Sequence, residues 1–278
     1  MEIAQRHPRD EFLRAEQLPH VWCAGCGLGI VAMCLAECIG RSTIPVEKHV
    51  VISGSGCTAP LLGYLPVETY YVPQGKSIPF ATGLKVANPE LEVSVVACDS
   101  DLIGKGAEHL VQGVRQNADI NTFLVNNSNY GMTGGQPASA APTRTRTEVP
   151  PYENSPSFNV PWLVAEVGAP FVSRWTAIHI RQLLKTIQRV FQVQGFAFVE
   201  IVSPCPPGFA ESKIFEDGYS QMEYFRTSCR VDNGADLSKV GLSMKPGEPL
   251  IVGDFIDQQK VSFHEFERVA AEKMRGSG

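Results

Sequence analysis

The sequence predicts an α/β protein built on a doubly wound, mostly parallel sheet. Short apolar runs rich in β-branched residues occur at 49–52, 93–97, 122–125 and 196–202, the pattern of strands buried on both faces. Stretches of helical periodicity alternate with them, as βαβ units require. Each run ends in a cluster of small or polar residues: SGSG, CDSD, NNSNYG and SPCPPG in turn. In such sheets ligands sit beyond the carboxyl ends of the strands. A site is therefore expected where these four clusters meet.

The helix candidates follow the same rhythm. Residues 28–39 follow the CAGCG turn and residues 105–116 follow CDSD. Residues 176–192 place Ile180, Leu183, Leu184, Ile187, Val190 and Phe191 on one stripe with charges opposite, which is an amphipathic helix. Residues 134–157 are rich in Pro, Thr and Gly and are expected to loop over the surface. Beyond Cys205 the strand–helix rhythm fades. Two units are expected: a cofactor-binding domain over 1–209, and a C-terminal extension over 210–278 packed on that domain or on a partner subunit.

Composition narrows the class. With 44% hydrophobic and 19% charged residues in 278, the chain reads as an ordinary soluble globular protein. A formal charge of −5 gives no electrostatic reason to expect nucleic acid or an anionic membrane as partner. No apolar run approaches the roughly 20 residues that span a bilayer. The polar start, MEIAQRHPRDEFLRAEQ, lacks the apolar stretch of a secretory signal, so a cytoplasmic location is expected. Eight cysteines are many for a reducing compartment, where metal binding or catalysis explains motif cysteines better than disulfides do.

Two constellations carry chemistry. Asp99 ends one predicted strand and Asn126-Asn127-Ser128-Asn129 ends the next. A carboxylate and an amide oxygen converging there suit a hard, oxygen-seeking cation such as Mg²⁺. Neighbouring Gly-rich turns and helix N-termini suit the phosphates such a cation binds. The plainer reading is a pair of ordinary strand-end turns. The second constellation is cysteine. Cys23 and Cys26 form a C-x-x-C, while Cys57 and Cys205 each end an apolar run. Four thiolates at strand ends could hold a tetrahedral zinc or a [4Fe–4S] cluster, and spacing does not choose between them. Cys34, Cys38, Cys98 and Cys229 read as small buried hydrophobes.

The segment from Asp99 to Asn127, about one βαβ crossover, resembles the thiamine-diphosphate motif of a GDG turn followed by NN. Cys98 and Ser100 stand where that motif has glycine. The resemblance implies Mg²⁺ bound by the side chains of Asp99 and Asn127 and the backbone carbonyl of Asn129. Taken in order, CAGCG, SGSGC, CDSD, NNSNYGMTGGQ and IVSPC are similar to the motifs of the β subunits of 2-oxoacid:ferredoxin oxidoreductases. The likeness spans about residues 20–210, and YGMTGGQ is its most specific part. It implies one [4Fe–4S] cluster on Cys23, Cys26, Cys57 and Cys205 beside the cofactor. It implies cofactor contacts from Gly25, Cys26, Gly27, Ser55, Gly56, Cys57, Ser100, Asp101, Tyr130, Gly131, Met132 and Thr133. QGKSIPFATGLKVANP resembles a further family stretch, with Gln74 and Lys76 in place of its His and Arg. His109 sits where the family tends to carry His, although a satisfied helix histidine explains it as well.

The resemblance also implies a reaction. Thiamine diphosphate supplies the carbanion and electron sink for decarboxylating a 2-oxoacid, coenzyme A takes the acyl group and ferredoxin the electrons. The sequence offers no candidate for the Glu that activates the cofactor, which in this family comes from the pyrimidine-binding domain of an α subunit. The chain is therefore expected to work only with that partner, in a heterotetramer of two α and two β chains. 2-Oxoglutarate is the favoured substrate; pyruvate, a branched-chain or aryl 2-oxoacid and oxalate are the alternatives. A thiamine-diphosphate decarboxylase subunit with a structural zinc is a more distant one.

Overall fold

The computed structural model describes residues 9–138, 140, 157–207, 215, 217–242 and 248–275. The strands are β1 (His49–Ser53), β2 (Glu68–Tyr71), β3 (Glu92–Cys98), β4 (Asn121–Asn126), β5 (Asn129–Tyr130), β6 (Gln136–Pro137), β7 (Phe171–Thr176), β8 (Ala197–Val202), β9 (Cys229–Val231) and β10 (Leu250–Asp257). The helices are α1 (Leu28–Gly40), α2 (Leu61–Tyr64), α3 (Ser77–Ala87), α4 (Asp99–Leu102), α5 (Ala107–Arg115), α6 (Val160–Val167), α7 (Ile180–Val190), α8 (Gly218–Ser228) and α9 (Phe263–Arg275).

Eight strands form one sheet in the order β2-β1-β3-β4-β8-β7-β10-β9. Every pairing in it is parallel except β10 against β7. The expected doubly wound sheet is thus present. The chain leaves β1 for β2 on one side, then returns to lay β3 on the other. That reversal opens a crevice beyond the carboxyl ends of β1 and β3, the usual place for a ligand in this architecture.

Alternation along the strands divides the core into two layers. Val51, Val96, Phe123, Val125 and Val199 face α1 and α7, while Val50, Val95, Leu124 and Phe198 face α3, α5 and α6. Covering both faces is what allows the strands to be apolar throughout.

The differences from the sequence expectation have physical causes. The stretch 176–192 is not one helix: Thr176 is the last residue of β7, and α7 starts at Ile180. β7 hides from periodicity because it buries Ser173 and Arg174 completely. Part of the expected loop, Gln136–Pro137, pairs with β5 in a short hairpin, while residues 139 and 141–156 lie outside the described residues. β9 and β10, from the segment expected as an extension, add two strands to the sheet edge.

The charge inside β7 is paired. Arg174 and Glu200 are cross-strand neighbours, both fully buried, with Arg174 Nε donating to Glu200 Oε2 at 2.5 Å. Arg174 also donates to the carbonyl of Val240, and Glu200 Oε1 accepts from Asn126 Nδ2 at 2.7 Å. Arg174→Ala strands a buried carboxylate and should cost about 3–5 kcal/mol, read as a lower urea midpoint at unchanged slope. A change below 1 kcal/mol, on the order of a surface substitution, would show that the pair holds nothing together.

Candidate functional site

The crevice is assembled from strand-end turns. After β1, Ser53 Oγ bonds Thr58 Oγ1 at 3.0 Å and closes the SGSGCT turn. After β3, Asp101 points back under that turn. A Cβ on Gly54 would lie 2.2 Å from its carboxylate, so only glycine fits there. Asp101 accepts from Gly75 N and Ser77 Oγ, both at 2.5 Å, and Gln74 Nε2 donates to the Ser100 carbonyl at 3.3 Å. The QGKS loop is thereby tied to the end of β3. Lys76 Nζ lies 2.7 Å from His109 Nε2 at the rim.

Asp99 is fully buried, and neither carboxylate oxygen makes a hydrogen bond of normal geometry, although backbone amides lie close by. Burial pushes its pKa up to about 8; backbone amides, among them those of Ser100 and Asn127, oppose the shift, and the Glu200 charge adds to it. A buried carboxylate without a partner is costly, and an adjacent cation would remove that cost. The Asn turn after β4 supplies the neighbouring oxygens. Asn126 Oδ1 accepts from Ser128 N at 3.1 Å and Asn127 Oδ1 from Asn129 N at 3.2 Å, two overlapping Asx turns. They hold Ser128 at φ 60°. Asp99, the Asn127 side chain and the Asn129 carbonyl are thus the donor set a Mg²⁺ ion could use.

The four motif cysteines come together. Cys23, Cys26, Cys57 and Cys205 line one cavity of about 130 Å³, with Trp22, Asn127, Gly131 and Met132 also in its wall. The cavity therefore adjoins the Asn turn. Gly131 closes it on one side, where an added Cβ would lie 3.2 Å from Cys57 Sγ and 3.7 Å from Cys205 Sγ. Burial pushes the Cys26 thiol up to about 11, opposed by the Leu28 amide and reinforced by Cys205, Cys57 and Cys23. Cys57 is raised for the same first reason, with the Met132 amide opposing. Thiols that raise one another in this way become thiolates only with a positive centre among them. Among the described residues, no three His, Cys, Asp or Glu side chains converge tightly enough for a single ion.

The remaining predicted residues divide. Gly56 borders Cys98 and Ser100, Ser55 Oγ accepts from Tyr71 at 3.1 Å, and burial raises the Tyr130 hydroxyl, with the Asp99 charge adding to the shift. Gly25 packs against Pro206, which also lines the cysteine cavity, and Gly27 against Ser203. Thr133 is exposed and bonds Gln136 Oε1 at 2.6 Å. Cys34, Cys38 and Cys98 are buried, whereas Cys229 is half-buried. Sequence reasoning missed Trp22, whose Nε1 donates to the Cys57 carbonyl at 2.7 Å; its place directly before Cys23 was the available signal.

The fold and site define an α/β protein with a candidate cation- and phosphate-binding crevice at the carboxyl ends of a parallel sheet. Consistent with that, residues 54–201 match the family described as thiamine pyrophosphate enzyme, C-terminal TPP binding domain. The chain is 34% identical over 273 residues to 2-oxoglutarate synthase subunit KorB of Methanocaldococcus jannaschii, covering 97% of this chain and 99% of the relative. It is 40% identical to the subunit of that name from Archaeoglobus fulgidus, over 70% of this chain and 73% of the relative. It is 34% identical to 2-oxoacid:ferredoxin oxidoreductase 2, subunit beta, of Aeropyrum pernix, over 66% of this chain and 60% of the relative. The fold matches a chain of 2-oxoglutarate:ferredoxin oxidoreductase from Magnetococcus marinus, solved with 2-oxoglutarate, coenzyme A and succinyl-CoA bound. That match has a TM-score of 0.82 at 22% identity, over 98% of this chain and 92% of the other. The chain belongs to the family of 2-oxoacid:ferredoxin oxidoreductase β subunits.

Proposed function

We propose that the chain binds Mg²⁺–thiamine diphosphate through Asp99, Asn127 and Asn129, and one [4Fe–4S] cluster through Cys23, Cys26, Cys57 and Cys205. The observation that carries this reading is the meeting of four motif cysteines in one cavity beside an unpartnered buried carboxylate. Asp99 and the Asn turn hold the cation, the cation holds the diphosphate, and the cysteines keep an electron acceptor next to it. Once bound, thiamine diphosphate supplies the electron sink for decarboxylating a 2-oxoacid.

The substrate we infer is 2-oxoglutarate, converted with coenzyme A to succinyl-CoA or formed in reverse, with electrons exchanged with ferredoxin. The names of the relatives support this. An α subunit supplies the activating Glu, and two α and two β chains form the working enzyme in the cytoplasm. Among the described residues no helix is long and apolar enough to cross a membrane. β9 and β10 extend the edge of the sheet, making a single cofactor-binding unit.

The test is direct. Anaerobically purified chain should contain close to four irons and bind thiamine diphosphate only with Mg²⁺ in calorimetry. Iron near eight, or stoichiometric zinc, would contradict the ligand assignment.

A further inference from the structure

The cysteine cavity is surrounded by N–H donors, and one of them is a side chain. The Leu28 amide at the start of α1 faces Cys26, and the Met132 amide faces Cys57. Those backbone donors come with the fold whatever residues occupy the positions. Asn129 differs. It is buried, and its Nδ2 lies 3.7 Å from Cys205 Sγ in donor geometry. Against a thiolate at 205 the amide must present its NH₂, since its oxygen would set two acceptors against each other.

We infer that Asn129 tunes the reduction potential of the iron–sulfur group by donating its side-chain amide to Cys205 Sγ. The inference rests on the cluster reading above. One electron added to a [4Fe–4S]²⁺ cluster adds one negative charge, shared with the thiolate sulfurs. An N–H aimed at a sulfur favours that more negative, reduced state and so raises the potential. Burial strengthens the contact, because little solvent competes for the donor.

The same residue looks toward the other cofactor. Asn129 N donates to Asn127 Oδ1 at 3.2 Å, so its backbone lies in the turn that carries the proposed Mg²⁺ ligands. One turn thus orders the diphosphate side with its backbone and sets the driving force for electron removal with a side chain. A residue of similar size without a donor at position 129 would leave a more reducing cluster and a poorer electron acceptor.

Two variants test this in the assembled complex. Asn129→Leu removes the donor at similar size, and Asn129→Asp keeps the shape while replacing the donor with an anion. Dye-mediated redox titration followed by electron paramagnetic resonance reads the midpoint potential. Asn129→Leu should shift the one-electron reduction equilibrium about tenfold toward the oxidised form, about 59 mV downward. Asn129→Asp should lie lower still, and its near-identical shape lets it decide the matter should the Leu variant lose iron. A wild-type potential in either variant with four irons overturns the inference. A wild-type complex without iron, or without a signal on reduction, overturns the cluster reading instead.

Discussion

Asp99→Ala should weaken Mg²⁺–thiamine diphosphate binding by at least about 10–100-fold, the loss found even for residues one shell further out. The carboxylate is fully buried and neither oxygen makes a hydrogen bond of normal geometry, which leaves a cation as the partner its charge lacks. The pH dependence follows from the same observation. Burial raises the carboxyl to a pKa of about 8, so the metal-free site is mostly protonated at pH 7 and mostly ionised at pH 9. A cation binds only the ionised form. Affinity should therefore rise with pH through that window, and binding at pH 7 should release nearly one proton. Calorimetry in buffers of different ionisation enthalpy reads the proton. The Ala variant should show neither the affinity nor the release, and wild-type binding in that variant would remove Asp99 from the site.

Cys205→Ala should separate electron removal from decarboxylation. In the reading proposed above, loss of CO₂ draws on thiamine diphosphate, Mg²⁺ and an activating Glu from the α subunit, and on no thiolate. Electron removal requires an acceptor within tunnelling reach, and Cys205 is one of the four residues proposed to hold it. The assembled variant should lose 2-oxoacid-dependent viologen reduction to background while retaining slow CO₂ release. Size and thiamine content establish that the variant assembles, since losing a ligand also removes restraint from the loop after β8. Viologen reduction near the wild-type rate would exclude Cys205 as a ligand.

Much of the fold was legible because four central strands are continuous apolar runs. β1, β3, β4 and β8 lie within a residue or two of their predicted places. β7 was not legible, since it contains Arg174, an exposed residue by any propensity. Only the facing Glu200 and the Val240 carbonyl make its burial tolerable, and both are distant in sequence. β2 was missed because ETYY is partly exposed at the sheet edge, and β10 because it runs antiparallel and carries Gly253 and Asp254. In the site, motif spacing brought out Asp99, Asn127 and the four cysteines. It did not reveal that Asp101 is spent on Gly75 and Ser77, or that the Asn129 side chain reaches Cys205. Those contacts exist only once separate strand ends are side by side.

One assay tests the assigned reaction most directly. The chain, co-expressed with its α subunit and purified anaerobically, should reduce viologen when given 2-oxoglutarate and coenzyme A, and more slowly with pyruvate or branched-chain 2-oxoacids. A complex that carries thiamine diphosphate and iron yet reduces no viologen with any 2-oxoacid would contradict it.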